Sequence, residues 1–134
     1  MKRKRKAQPR PLLGIHVMVV EDHDDSRYIL EQSLAYSGAV VVAVASATDA
    51  LRIMQRTRPD IIIADIAMPV HDGIWLLRQL RAQQQTTGRY VPVVALTAST
   101  SRPTTTDFDA ILFKPCHIDR ICEVILKLTT AHQF

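Results

Sequence analysis

Four apolar runs of strand length in this chain each end on a polar residue, and that repetition limits the fold more than any other feature. Val17-Met18-Val19-Val20 runs into Glu21 and Asp22, and Ile61-Ile62-Ile63-Ala64 runs into Asp65. Val93-Val94-Ala95-Leu96 runs into Thr97, and Ile111-Leu112-Phe113 runs into Lys114. Short runs rich in β-branched residues and closed by turn signals have the character of buried strands. Val40 to Val44 supplies a fifth.

Helical patterns fill the intervals. Asp24-Asp25-Ser26 offers capping groups for a helix through about Tyr36 that carries Ile29, Leu30 and Leu34 at helical spacing, and Gly38 closes it. Ser46 with Asp49 forms a capping-box variant ahead of Ala50, Leu51, Ile53 and Met54. A third helix begins near Gly73, runs through Trp75, Leu76, Leu77 and Leu80, and gives way to a polar loop over Gln83–Gly88. Pro92 opens the next strand, a permitted place for proline. Ser99 to Thr106 is hydroxyl-rich, holds Pro103 and lacks apolar periodicity, so its helix is expected to be weak. A last helix starts near Asp119 and buries Ile121, Val124, Ile125 and Leu128. Strand and helix alternating five times imply a parallel sheet covered on both faces, joined by right-handed crossovers.

A chain of 134 residues fits one domain. The net charge of +4 is concentrated in Lys2, Arg3, Lys4, Arg5, Lys6 and Arg10, leaving 11 basic against 13 acidic residues in the remainder. Residues 1–14 are therefore expected to form a basic, disordered arm, with the folded domain over 15–134. A basic tract can touch nucleic acid or an anionic membrane surface, but the expected role is a solvated tail. The arm lacks the apolar segment of a secretory signal, and no window approaches the roughly 20 apolar residues of a membrane helix, so a cytoplasmic location is expected. Cys116 and Cys122 stand six apart on an expected helix, neither a zinc spacing nor a good disulfide geometry, and are taken as reduced thiols.

In a parallel sheet the polar run ends converge in the crevice outside the carboxyl ends of the strands. Glu21, Asp22 and Asp65 brought together would repel one another, and a hard cation relieves that repulsion. Oxygen ligands with room for water and phosphate suit Mg²⁺, which Asp22, Asp65 and a backbone carbonyl, that of Ala67, can hold. Lys114 adds a second positive charge. A free oxygen of Asp65 can then attack phosphorus, with Lys114, the Thr97 hydroxyl and backbone N–H groups stabilising the charge that develops.

Glu21-Asp22, Asp65 with Met68-Pro69 and Asp72-Gly73, Leu96-Thr97-Ala98, and Phe113-Lys114-Pro115 together resemble the motif set of two-component response-regulator receiver domains, over about Ile15 to Thr130. The resemblance implies a flavodoxin-like, doubly wound five-stranded parallel sheet of order 2-1-3-4-5. It also implies Asp65 as phosphoacceptor, Glu21 and Asp22 as Mg²⁺ ligands, Thr97 as switch hydroxyl and Lys114 as phosphoryl contact. The phosphoryl donor is then a histidine kinase or histidine phosphotransfer protein.

The chain also departs from the family pattern. The interval from Thr97 to Lys114 is short by roughly one to one and a half helical turns, so the family's fourth helix is expected to be short or missing. Ile111 stands where an aromatic usually moves with the threonine, Asp107 where glycine is common, and Cys116 where a large apolar residue is common. His23 and His71 flank the site as possible phosphoryl or metal contacts, with surface loop positions the plainer reading. Trp75 either faces a partner or covers the space a shortened helix leaves.

With no second domain after Phe134, the expectation is a phosphorelay switch acting through protein contacts, without its own DNA-binding domain and not an enzyme. The alternatives are a receiver detached from a hybrid histidine kinase or larger regulator, and a phosphorylation-independent binding module. A phosphatase or phosphotransferase acting on a small metabolite is disfavoured, because Ala67 replaces the second acid that would protonate a leaving group.

Overall fold

A computed structural model describes residues 10–98 and 107–131. The element order is β1 (His16–Val20), α1 (Asp24–Tyr36), β2 (Val40–Val44), α2 (Ala47–Met54), β3 (Ile61–Asp65), α3 (Gly73–Thr87), β4 (Val93–Ala98), β5 (Ala110–Lys114) and α4 (Ile118–Ala131). The five strands form one parallel sheet in the order β2-β1-β3-β4-β5, as expected. The short or missing fourth family helix was expected within 99–106, which lies outside the described residues, as does the arm over 1–9.

Both faces of the sheet are buried, and the side chains divide with a period of two. Met18, Val20, Ile62, Ala64, Val93 and Ala95 pack with Leu76, Leu77 and Leu80 of α3 and Ala47 and Ala50 of α2. Val17, Val19, Ile61, Ile63, Val94 and Leu96 pack on the other face with Leu34 of α1 and Ile121, Val124 and Ile125 of α4. This is why the runs in β1, β3 and β4 are continuously apolar rather than alternating.

Several local expectations change in the folded chain. The helix α1 is capped by His23, whose Nδ1 accepts from the Ser26 N–H at 3.2 Å, and Asp24 and Asp25 lie inside its first turn. Its buried residue is Leu34, while Ile29 is 63% exposed, because the helical spacing of Ile29 and Leu34 does not put them on one face. The polar stretch Gln83–Thr87 continues α3 instead of forming a loop. The helix stops only at Gly88, whose left-handed φ of 74° closes it with an N–H bond to the Gln84 carbonyl. Ser46 caps α2 through the Asp49 N–H at 3.1 Å, as its spacing indicated. Cys116 precedes α4 instead of lying on it, and burial raises its thiol pKa, which favours the protonated form.

The middle of α3 and the starts of β4 and β5 are tied by Asp109. Its carboxylate accepts from the Arg81 guanidinium at 2.7 Å, the Val93 N–H at 2.7 Å and the Tyr90 hydroxyl. Burial, reinforced by that bond to Asp109, pushes the Tyr90 hydroxyl up to about 12.

The expected arm boundary at residue 14 is also corrected. Leu12 is fully buried in the α1/α4 face of the core, and its N–H donates to the Ser37 carbonyl at 2.9 Å, so the folded unit begins before Ile15. Leu12→Ala is expected to cost about 2–5 kcal/mol in urea unfolding, the range for truncating a buried leucine.

Candidate functional site

The register of the sheet assembles the site. Val20 of β1 lies opposite Ala64 of β3, so the next residues in each strand direction, Glu21 and Asp65, emerge side by side. Asp65 in turn pairs with Leu96, and Ala98 with Lys114, which brings the tips of β4 and β5 to the same end of the sheet.

Glu21, Asp22 and Asp65 come together as expected, each offering one carboxylate oxygen within 4.8 Å of the others. Lys114 joins them. Its Nζ donates to Glu21 Oε1 at 2.8 Å and to Asp65 Oδ2 at 3.3 Å. Glu21 is almost fully buried, and burial raises its pKa; the nearby Asp65 adds to the rise, while the bond from Lys114 opposes it. For Lys114, burial favours the neutral amine, but its bonds and attraction to Glu21 and Asp65 together outweigh that and raise its pKa. The ammonium is therefore held charged between two carboxylates.

The second oxygen of Glu21 accepts from the His23 N–H at 3.3 Å, so both of its oxygens are engaged. Asp22 makes no side-chain hydrogen bond among the described residues. Its oxygens and those of Asp65 are hard ligands facing a shared space, a donor set that fits a small divalent cation such as Mg²⁺ and not a soft metal. Ala67, expected to contribute a carbonyl, lies on the loop that folds back over Asp65, and its N–H donates to Asp65 Oδ1 at 3.1 Å. Thr97 is buried at the end of β4. Ile111 is half-buried against the α2/α3 side of the core.

The loop after Asp65 is held by short-range constraints. The Gly73 N–H donates to the Ile66 carbonyl at 3.0 Å, and Asp72 caps α3 by accepting from the Trp75 N–H at 2.8 Å. Between them the His71 N–H bonds to the Pro69 carbonyl at 2.8 Å across Val70, which takes a φ of 68° with its side chain almost wholly in solvent. A β-branched residue in that region is strained, at a cost on the order of 1–3 kcal/mol.

His71 and His23 are not among the clustered metal-capable groups of the described residues. His23 caps α1, and the His71 ring stacks on Trp75 with centroids 3.7 Å apart. Trp75, in the first turn of α3, is thus half-covered by the loop before it and packs against the α2/α3 side of the core.

One residue that the sequence reading passed over is Arg27. Its guanidinium donates to the Glu21 carbonyl at 3.0 Å and the Asp22 carbonyl at 3.5 Å while pairing with Asp24 at 2.7 Å, and so braces the backbone that carries two of the three acids. Its place one turn into α1, six residues after Glu21, was the available signal.

Residues 17–126 match the family model described as the response regulator receiver domain. Among curated proteins, the chain is 34% identical over 87 residues to an uncharacterized 14.6 kDa protein of Leptolyngbya boryana, covering 65% of each. It is 34% identical over 90 residues to the Regulator of RpoS of Escherichia coli K12, covering 67% of this chain and 26% of that protein. The matches thus span less than two thirds of these relatives' own lengths. Among solved structures, the receiver domain of the sensor histidine kinase PA1611 from Pseudomonas aeruginosa, with magnesium in its active-site cleft, is similar at a TM-score of 0.76 and 30% identity. That match covers 87% of this chain and 98% of the other.

Two expectations follow from this geometry. A Cβ at Gly73 would lie 2.7 Å from the Asp65 carbonyl oxygen and 3.0 Å from the Ile66 Cα, backbone atoms that cannot yield. Gly73→Ala is therefore expected to cost about 1–3 kcal/mol in chemical denaturation. Lys114→Met leaves two carboxylates without their cation. Because Glu21 is already raised in the fold, its charge lowers stability as pH climbs from its ordinary 4.5 through the higher folded value. Without Lys114 that loss deepens, so the gap in melting temperature between variant and wild type should widen across this window and narrow below it.

Proposed function

The chain belongs to the response regulator receiver domain family, and we propose that it is a phosphoacceptor switch modified on Asp65 by a histidine kinase or histidine phosphotransfer protein. The observation that carries this reading is the grouping of Glu21, Asp22 and Asp65 within 4.8 Å, with the Lys114 ammonium bonded to two of them. A nucleophilic carboxylate, a ligand set for a hard cation and a fixed positive charge are the parts that phosphoryl transfer to a carboxylate requires.

In the proposed step an Asp65 oxygen attacks phosphorus as the bond to the donor imidazole nitrogen breaks. The electron pair of that bond leaves with the nitrogen, and the phosphoryl group stays on Asp65 as an acyl phosphate. Asp22 and Asp65, with Glu21 beside them and the Ala67 carbonyl on the adjoining loop, are the groups that would hold Mg²⁺. The bound ion supplies positive charge to the phosphoryl oxygens. Lys114 neutralises a second part of that charge, and Thr97 responds to it as the switch hydroxyl, with Ile111 behind it in place of an aromatic.

The output is a change in protein contacts and not turnover of a small molecule. Ala67, two residues after Asp65, carries no acid for a leaving group, which supports that reading. Among the described residues no helix is long and apolar enough to cross a membrane, and a cytoplasmic setting, where such kinases present their phosphohistidine, agrees with that. A second reading, a receiver detached from a hybrid kinase, is favoured by the likeness to the receiver of a sensor histidine kinase.

Incubation with acetyl phosphate and Mg²⁺ is expected to add one phosphoryl group by intact mass, and EDTA or Asp65→Asn is expected to abolish it. Mg²⁺ alone should raise the melting temperature, by about 2.7 kcal/mol of stabilisation at a hundredfold excess over its Kd, and Asp22→Asn should remove most of that rise. An adduct that persists in Asp65→Asn would take the phosphoacceptor role away from Asp65.

A further inference from the structure

The amino ends of the strands, opposite Asp65, hold a second concave feature. Helix α2 stops at Met54 after 8 residues while α3 runs for 15, and the mismatch opens a groove of about 390 Å³ between the end of α2 and the last turns of α3. That volume falls in the lower part of the roughly 300–1,000 Å³ typical of small-molecule sites. Its floor is apolar, formed by Met54, Leu80 and Val91. Its polar rim holds three arginines and no acid.

The three cations are not equivalent. Arg81 is committed to Asp109 at 2.7 Å and to the Val91 carbonyl at 3.0 Å. Arg89 spends one N–H on the Pro59 carbonyl at 3.0 Å, which orients its planar fork and leaves the other donors open. Arg58 is exposed and makes no hydrogen bond or ion pair among the described residues. Two guanidiniums without a carboxylate thus stand over an apolar floor. The carbonyl ends of α2 and α3 place partial negative charge at this edge, which favours the arginines there.

We propose that this groove binds a small organic anion, with an aromatic or aliphatic body lying on Met54, Leu80 and Val91 and its carboxylate, phosphate or sulfonate held by Arg58 and Arg89. Guanidinium forks suit such oxyanions because they donate two parallel charge-assisted bonds. The site is separate from the phosphoacceptor, so it stands or falls independently of the proposed function.

The test uses the full chain and two fluorescent probes, 1-anilinonaphthalene-8-sulfonate and N-phenyl-1-naphthylamine, which share rings and differ by the sulfonate. The sulfonate is expected to bind saturably and to shift amide resonances centred on residues 54–59 and 84–91. In Arg58→Gln/Arg89→Gln its affinity should fall about tenfold while that of the neutral amine changes less than about twofold. Both substitutions are on the surface, and unchanged circular dichroism and melting temperature would confirm an intact fold. Equal sulfonate affinity in the double variant, shifts centred elsewhere such as on the exposed Tyr28 and Tyr36 of α1, or no saturable binding would each overturn the proposal.

Discussion

Two carboxylates at neighbouring strand tips repel unless a cation lies between them, and the pairing of Glu21 and Asp65 with Lys114 is the interaction on which this site depends. Parallel register forces the problem, because it aligns the ends of β1 and β3 and brings the acids there together at one edge. The same register supplies the answer, since β3, β4 and β5 are stacked so that the last residue of β5 reaches back to both acids. Removing one member of such a buried set leaves uncompensated charge, which costs far more than the intact set contributes. Glu21 shows the tension most clearly, with burial pushing its pKa up and Lys114 pulling it down.

Around that charged centre the chain is held by elements that do no chemistry themselves. Gly73 lets the start of α3 lie against the Asp65 backbone, and Asp72 caps the helix at that point. Val70 absorbs the resulting turn in a strained conformation, an expense met by the bonds on either side of it. On the facing loop, Arg27 ties the carbonyls of Glu21 and Asp22 to α1. The acids are thus carried on backbone that is braced by hydrogen bonds from both loops.

The two ends of the sheet are organised differently. At the carboxyl ends, among the described residues, acids outnumber the one lysine and leave ligand capacity on Asp22 and Asp65. At the amino ends, Asp109 satisfies Arg81, Tyr90 and the first amide of β4, while among the described residues Arg58 and Arg89 stand without a carboxylate. One end is anionic and suited to a cation, and the other is cationic and suited to an anion.

The strands, their parallel arrangement and the residues of the acidic site were legible in the sequence, because a strand buried on both faces must be continuously apolar and its first polar residue must mark the tip. Caps that use a local side chain at fixed spacing, such as Ser46 with Asp49, were equally legible. Other features depended on distant contacts. Leu12 looked like part of a basic tail but is buried in the core cluster that holds Leu34, with its N–H bonded to the Ser37 carbonyl. Ile29 looked like core but points to solvent, and Gln83–Thr87 looked like loop but stays helical until Gly88 can turn the chain. Arg27 offered only its place six residues after Glu21 as a signal, and the Asp109 hub, whose bond to Arg81 spans 28 residues, offered none. Apolar pattern and local capping are written along the chain, whereas the partner of a buried charge or a half-covered ring is chosen by three-dimensional proximity, which only the packed structure decides.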